Sequence, residues 1–443
     1  MANKPAGKDH VRVWTERGTT YVRMPIAIAA GILLALLIVT TLLWTSKWRR
    51  DPKLQVKQPG ELQALIPSLV ALGGGTLEAG NRVEVLQNGD GFFPPLFRDI
   101  RAARQSVHLE SYIWWEGRVC DDLARLLAEK ARQGVEVRLL VDASGGKKMT
   151  DEQDKLMTGA GVRIARFHPI RFSNLGRLNN RDHRKQMIID GRIGYLGGYG
   201  IAKEWTGNAN DKEHWRDTGL RIEGPIVNRL QAAFCENWIE ETGEIPAGER
   251  YFPRLQPVGQ TPAHLSYTSP TGSVSSVQVL YYVAIESAKR EILIQNPYLL
   301  PEVEAIDALD RAVKRGVDVK IMVPSADATD APIVQHASHH RFGNLLKHGV
   351  KIYEYEKTLL HQKVMVIDGV WATVGSTNFD SRSFELNDEI TIGVVDPAVA
   401  QQLRAAFAAD LQHSRERRFD EWKSRSLWHK LIDGLAYVGN EQL

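Results

Sequence analysis

Met24 to Trp44, "MPIAIAAGILLALLIVTTLLW", runs without a charged side chain, and a bilayer-spanning helix needs about 20 such residues. Trp44 and Trp48 stand where interfacial aromatics gather. The run is too long for the apolar core of a signal peptide, and no small-x-small cleavage site precedes Lys47. The pattern predicts an N-terminal tail over 1–23 and one uncleaved transmembrane helix over 24–44. Lysines and arginines are balanced on its two sides, so the charge bias that orients such helices is tied. Residues 45–80 are polar and broken by Pro and Gly, as a linker is. Within them "LQALIPSLVALGGG" predicts an apolar helix near the membrane surface.

From about Asn81 the pattern turns to short apolar or alternating strands separated by helices, and it does so twice. "ARQSVHLESYIWW" from Ala103 matches "AKREILIQNPYLL" from Ala288, and "ARQGVEVRLLVDAS" from Ala131 matches "AVKRGVDVKIMVPSA" from Ala312. "GVRIARF" from Gly161 matches "GVKIYEY" from Gly349. "DTGLRIEGP", ending at Pro225, matches "EITIGVVDP", ending at Pro397, which sets Asp217 opposite Glu389. The common order predicts a tandem duplication of one α/β/α unit, each half with a mixed or mainly parallel sheet carrying helices on both faces. The halves are expected over 81–250 and 251–443, with the boundary in the Pro- and Gly-rich stretch 247–264.

Composition changes this picture little. A chain of 443 residues, 43% hydrophobic and 25% charged, is globular and long enough for two domains. A net charge of +3 is too small to suggest a nucleic-acid binder. Two cysteines, Cys120 and Cys235, make no disulfide framework and are expected as buried thiols.

The chemistry lies in a string that occurs once per half, "HRKQMIIDGRIGYLGG" from His183 and "HQKVMVIDGVWATVGS" from His361. Each reads His-x-Lys, four residues, Asp, six residues, Gly and a small residue. On a strand, residues two apart share a face, so His183 stands beside Lys185 and His361 beside Lys363. Asp190 and Asp368 close the apolar runs at a turn. Gly198 and Ser376 follow the next strand, where small residues let a ligand approach the backbone. Two copies facing each other about a pseudo-twofold axis would supply one central site with two imidazoles and two ammonium groups. Paired lysines fix a phosphate. One neutral histidine can attack phosphorus while the other protonates the leaving oxygen and later deprotonates the acceptor. Asp217 and Glu389 are the natural groups to orient the rings.

The repeated string resembles the signature of the phospholipase D superfamily, and the likeness runs from about Asn81 to about Gln412. "HLESYIWW", "HWRDTGLRIEGP", "QNPYLLP" and "GSTNFDSRSFELNDE" are similar to its bacterial cardiolipin synthases. The resemblance implies that superfamily's fold, no metal or other cofactor, and transfer of a phosphatidyl group. It implies a catalytic set of His183, Lys185, Asp190, His361, Lys363 and Asp368, supported by Asn378, Gly198, Ser376, Asp217 and Glu389. It also implies His183 as nucleophile and His361 as acid, an order the residues alone leave open. One position departs: the family's asparagine is present as Asn378, but Gly200 stands at the equivalent place in the first half.

His336, His339 and His340 form a cluster with no Cys or carboxylate group beside it in sequence, which favours an amphipathic helix near the site mouth over a metal site. Trp114 and Trp115 are expected as core or rim packing. Phe419, Trp422, Leu427, Trp428, Leu431 and Leu435, set among Arg and Lys, suit an interfacial helix or one docked on the protein. The expectation is a single-pass enzyme of the bacterial inner membrane, its catalytic domains in the cytoplasm, joining two phosphatidylglycerols into cardiolipin and releasing glycerol. The alternative is a phospholipase that passes the phosphatidyl group to water or another alcohol. Phospholipid and membrane are the expected partners, nucleic acid is not, and oligomeric state is unread.

Overall fold

A computed structural model of the chain describes residues 10–15, 18–45, 54, 56–57, 60–169, 179–270 and 274–438. It divides into two compact units, Met1–Lys53 and Leu54–Leu443. In the first, His10–Thr15 and Gly18–Arg23 form an antiparallel hairpin, which nothing in the pattern of the tail signalled. An α-helix of 22 residues follows over Met24–Thr45. Its side chains are described from Ile26 to Thr40 and are largely exposed. Among residues whose side chains are described, no helix is long and apolar enough to cross a membrane, so the span expected over 24–44 rests on the sequence alone.

The second unit is built on one continuous 16-stranded sheet whose order reverses about its middle. From one side run Arg163–Phe167, Glu136–Asp142, Ser106–Ser111, Gln186–Ile189, Ile193–Gly197, Thr218–Glu223 and Glu78–Gln87. Glu78–Gln87 pairs antiparallel with Thr261–Thr268. The mirrored series then leads outward through Asn387–Val394, Trp371–Gly375, Val364–Ile367, Glu291–Gln295 and Asp318–Pro324 to Lys351–Tyr355. Three strands of each half are parallel, Ser414–Arg417 edges the second half antiparallel, and the inner strands are antiparallel. The sheet is therefore mixed, and the duplication is built into a single sheet.

Local sequence explains the junctions. "ARQGV" and "VKRGV" end the helices Arg118–Arg132 and Val303–Lys314. Gly134 and Gly316 take φ of 87° and 89° there, the left-handed turn that delivers each chain to a parallel strand. Both repeated strings make a tight hairpin at Asp-Gly: φ is 53° and 63° at Asp190 and Gly191, and 54° and 65° at Asp368 and Gly369. On one face of the sheet, the helices Val227–Thr242 and Pro397–Leu411 share a core, with Phe234, Trp238, Leu403 and Phe407 on strand residues of both halves. On the other face each half has its own core, around Leu123 and Leu127 in the first and Leu280 and Leu309 in the second.

The helix expected at the membrane surface is Leu62–Leu72, and its apolar stripe faces the protein. Leu62, Ile66, Leu69 and Val70 are buried in the core of the second half, with the helix Ser276–Ser287. Each such side chain contributes about 1.5–3 kcal/mol by leaving water. Its apolar stripe belongs to the protein interior. Cys120 and Cys235 are free and buried.

Candidate active site

His183 and Lys185 sit in the extended segment just before the strand Gln186–Ile189, not within it, and His361 and Lys363 likewise precede Val364–Ile367. Here each string leaves its own half. Arg181–Asp182 pairs in parallel with Asn387–Asp388 of the second half, and the His183 amide donates to the Asp388 carbonyl at 2.9 Å. Reciprocally, Leu360 bridges to Arg216 of the first half, and the His361 amide donates to the Arg216 carbonyl at 2.8 Å.

The crossing sets the carboxylate partners. His183 Nδ1 lies 2.9 Å and 3.1 Å from the two Glu389 oxygens. His361 Nδ1 lies 2.9 Å from Asp217 Oδ2. Each ring thus turns Nδ1–H to a carboxylate of the opposite half and leaves Nε2 for chemistry. Glu389 also accepts from the Ser376 hydroxyl. At the equivalent place in the first half a side chain has no room: a Cβ on Gly198 would fall 2.4 Å from Asp217 Oδ1. Asp217 accepts from Trp205 Nε1 at 2.8 Å instead.

Lys185 Nζ donates to the His183 carbonyl at 2.8 Å. Lys363 Nζ donates to the His361 carbonyl at 2.6 Å and lies 3.0 Å from His361 Nε2. Burial, with the neighbouring ammonium groups adding to it, pushes His183 down to about 4 and His361 down to about 3. Burial also lowers Lys185 to about 8 and Lys363 to about 7, and for Lys363 the charge of Lys185 lowers it further. Burial works against charge on Glu389 and Asp217, but their histidine and lysine neighbours outweigh it and hold both carboxyls below the usual range. The free site therefore holds neutral imidazoles, ionised carboxylates and ammonium groups that lose their protons easily. An arriving phosphate monoanion would restore the positive charge of both lysines. Asn378 is 6% exposed, and its Oδ1 has no hydrogen-bond partner among the described residues. A buried amide left open in this way is suited to a ligand.

Asp190 and Asp368 do not join this group. Asp190 lies seven positions beyond His183, about 20 Å along an extended chain. Its carboxylate accepts the backbone amides of Arg104, Gln105 and Ser106 at 2.7–3.1 Å. Asp368 accepts those of Lys289, Arg290 and Glu291 at 2.7–3.0 Å. Both fasten the hairpin to the start of a neighbouring strand, so their placement in the catalytic set is corrected to a structural one.

Three aromatic partners gave no signal in the sequence. The Tyr112 ring lies 5.2 Å from that of His183. Trp205 and Trp215, from the first half, lie 5.1 Å and 5.6 Å from His361. Trp205 also explains Gly200, where a Cβ would come 2.8 Å from its ring. The indole fills the space that an asparagine would need. Trp114 is fully buried, and Trp115 stacks edge-on to Trp205 at 6.2 Å.

The histidine cluster lies on the helix Pro332–Lys347. Ligand atoms of His336, His339 and Asp433 fall within 4.8 Å of one another. Asp433 is already neutralised by Arg425 at 2.9 Å, and His339 meets Glu354 at 3.2 Å. Those partners fit a hydrogen-bonded network better than a metal.

Comparison with known proteins identifies the family. The family model described as "Cardiolipin synthase, PLD-like domain" matches twice, over residues 96–238 and 281–411. The probable cardiolipin synthase YwiE of Bacillus subtilis (strain 168) is 37% identical over 337 residues, 76% of this chain and 67% of that protein. A cardiolipin synthase of Staphylococcus aureus (strain Mu50) is 34% identical over 365 residues, 82% of this chain and 74% of its own length. The fold is similar to that of a phosphatidylserine synthase of Haemophilus influenzae Rd KW20, with a TM-score of 0.67 at 12% identity over 84% of this chain and 98% of that one. Matched in both halves and along most of its length, the chain belongs to the cardiolipin synthase branch of the phospholipase D superfamily and is a phosphatidyltransferase of that superfamily.

Proposed function

We propose that the enzyme joins two phosphatidylglycerols into cardiolipin at a membrane, through a phosphatidyl group held on His183. The observation that carries this is the reciprocal arrangement of the two rings, each fixed by a carboxylate of the other half, with a lysine beside each.

His183 Nε2 attacks phosphorus as the bond to the glycerol oxygen breaks. The departing oxygen takes a proton from His361, and glycerol leaves. Neutral His361 then accepts the proton of a hydroxyl on a second phosphatidylglycerol. That oxygen attacks phosphorus, the P–N bond breaks, and His183 returns neutral. Lys185 and Lys363 hold the phosphoryl oxygens and carry the charge that builds there, and the open Oδ1 of Asn378 can accept from a lipid hydroxyl. A phosphate between them also draws Lys363 off His361 Nε2, which favours the protonated ring the first step requires.

The apolar run at 24–44 supports a single membrane span, and the water-insoluble substrate supports a site near the bilayer surface. With the catalytic unit in the cytoplasm, both lipids come from the inner leaflet. In the purified full chain, vesicles of phosphatidylglycerol should yield cardiolipin and free glycerol in equal amounts. His183→Ala and His361→Ala should each abolish the reaction. Phosphatidic acid as the main product would replace transfer to lipid with hydrolysis.

A further inference from the structure

The last helix of the chain, Leu427–Val438, uses its two faces differently. One is docked on the helix Pro332–Lys347. Asp433, 1% exposed, pairs with His336 at 2.8 Å, and Tyr437 stacks on His340 at 4.7 Å. Just before it, Trp422 donates to the His339 carbonyl at 2.8 Å, and its ring lies where a Cβ on Gly343 would be. The opposite face is unpartnered: Leu427 is 82% exposed, Trp428 67%, Leu431 52% and Leu435 66%. This is a fixed ridge of apolar side chains.

Its support begins close to the catalytic site. The helix Pro332–Lys347 starts two residues after Asp330, whose carboxylate accepts the Tyr298 hydroxyl at 2.7 Å and acts electrostatically on Lys363. Ile333, in its first turn, is 60% exposed. Lys430 lies on the same helix, Lys423 on the short helix before it and Arg418 at that helix's N-terminal cap, none with an ion pair among the described residues. Apolar side chains with a tryptophan, accompanied by cations and set near the site, match an anionic bilayer surface: the side chains enter the acyl boundary and the cations meet the phosphates.

We infer that Leu427, Trp428, Leu431 and Leu435 form a membrane-docking ridge that seats the site mouth on an anionic phospholipid surface, independently of the apolar run at 24–44. The inference rests on the proposed lipid substrate. Cys120 and Cys235 are 0% and 5% exposed, so a thiol introduced at the ridge is labelled selectively. In the full chain, Leu431→Cys carrying an environment-sensitive fluorophore is reconstituted in phosphatidylglycerol vesicles containing spin-labelled lipid. Arg118→Cys, on a helix of the opposite half, is the control. The label at 431 is expected to shift to the blue and be quenched, and the label at 118 to do neither. Leu431→Glu with Leu435→Glu should lower the rate on vesicles about tenfold or more and leave the rate on monodisperse short-chain phosphatidylglycerol unchanged. An unquenched label at 431, or equal loss on both substrates, overturns the ridge. Efficient disulfide cross-linking between two copies of the unlabelled Leu431→Cys variant in dilute vesicles overturns it in favour of a second copy of the chain. The quenching arm needs no turnover, so it stays readable if the proposed reaction fails.

Discussion

Nδ1 of His183 lies 2.9 Å from Glu389, a residue 206 positions further along the chain. His361 and Asp217 repeat the relation in the opposite direction, 144 positions apart. Neither half holds a complete histidine–carboxylate pair, so the duplication is a requirement of the site. The roles separate by leaving group. Glu389→Gln weakens the nucleophile and should lower kcat about 100- to 10,000-fold for every phosphodiester. Asp217→Asn weakens the acid. It should be as harmful to turnover of phosphatidylglycerol, yet much milder for the first-turnover burst from a lipid whose leaving group is p-nitrophenolate, a step that needs no proton. Equal losses for both variants on both substrates would remove the division of labour.

The buried charges set a pH profile. His183, held down to about 4, keeps its lone pair above that pH. Lys363 and Lys185, lowered to about 7 and about 8, keep their charge only below those values. His361, the acid of the first step, is lowered to about 3, so kcat/KM for phosphatidylglycerol should fall as pH rises above about 4, and more steeply above about 7 as the phosphate anchors also lose their protons. A rate that climbs through pH 8 would contradict this.

Lys363 should cost the fold what it gives the reaction. Its folded pKa lies below that of the unfolded chain, so the buried ammonium opposes folding fully below about 7 and less as pH rises toward the ordinary lysine range. Lys363→Met should abolish turnover while leaving Tm at or above wild type at pH 6.5, an advantage that fades at high pH. Thermal melts at the two pH values decide it, and a large drop in Tm would show that the lysine is structural.

Asp190 calls for the opposite result. Asp190→Ala strips three backbone amides of their acceptor and should destabilise the protein by about 2–4 kcal/mol. Below its melting point the variant should keep the wild-type kcat. Loss of kcat without loss of stability would return the aspartate to the chemistry.

Much of this was legible in the sequence because the duplication repeats local signals. Gly134 and Gly316 punctuate equivalent helices, the Asp-Gly pairs mark equivalent hairpins, and the His-x-Lys strings mark equivalent edges of one site. Asp217 and Glu389 were found by their position in the repeat. Which histidine each serves was not, because that depends on how two halves pair across a sheet. Asp190 and Asp368 misled because the spacing holds a turn anchor as firmly as a catalytic group. Tyr112, Trp205 and Trp215 come from connections between strands, where no period betrays which ring will meet which histidine. Leu62–Leu72 carries an apolar stripe that a membrane or a protein core would satisfy equally, and only the fold distinguishes them.

The most direct test takes His361→Ala with a phosphatidyl ester of p-nitrophenol, labelled in the phosphate. The first step needs no acid with this leaving group, while the second lacks its base. A burst of one nitrophenolate per site is expected, with acid-labile label trapped on His183. Steady release without a burst, or label on no histidine, would contradict the shared site and its covalent step.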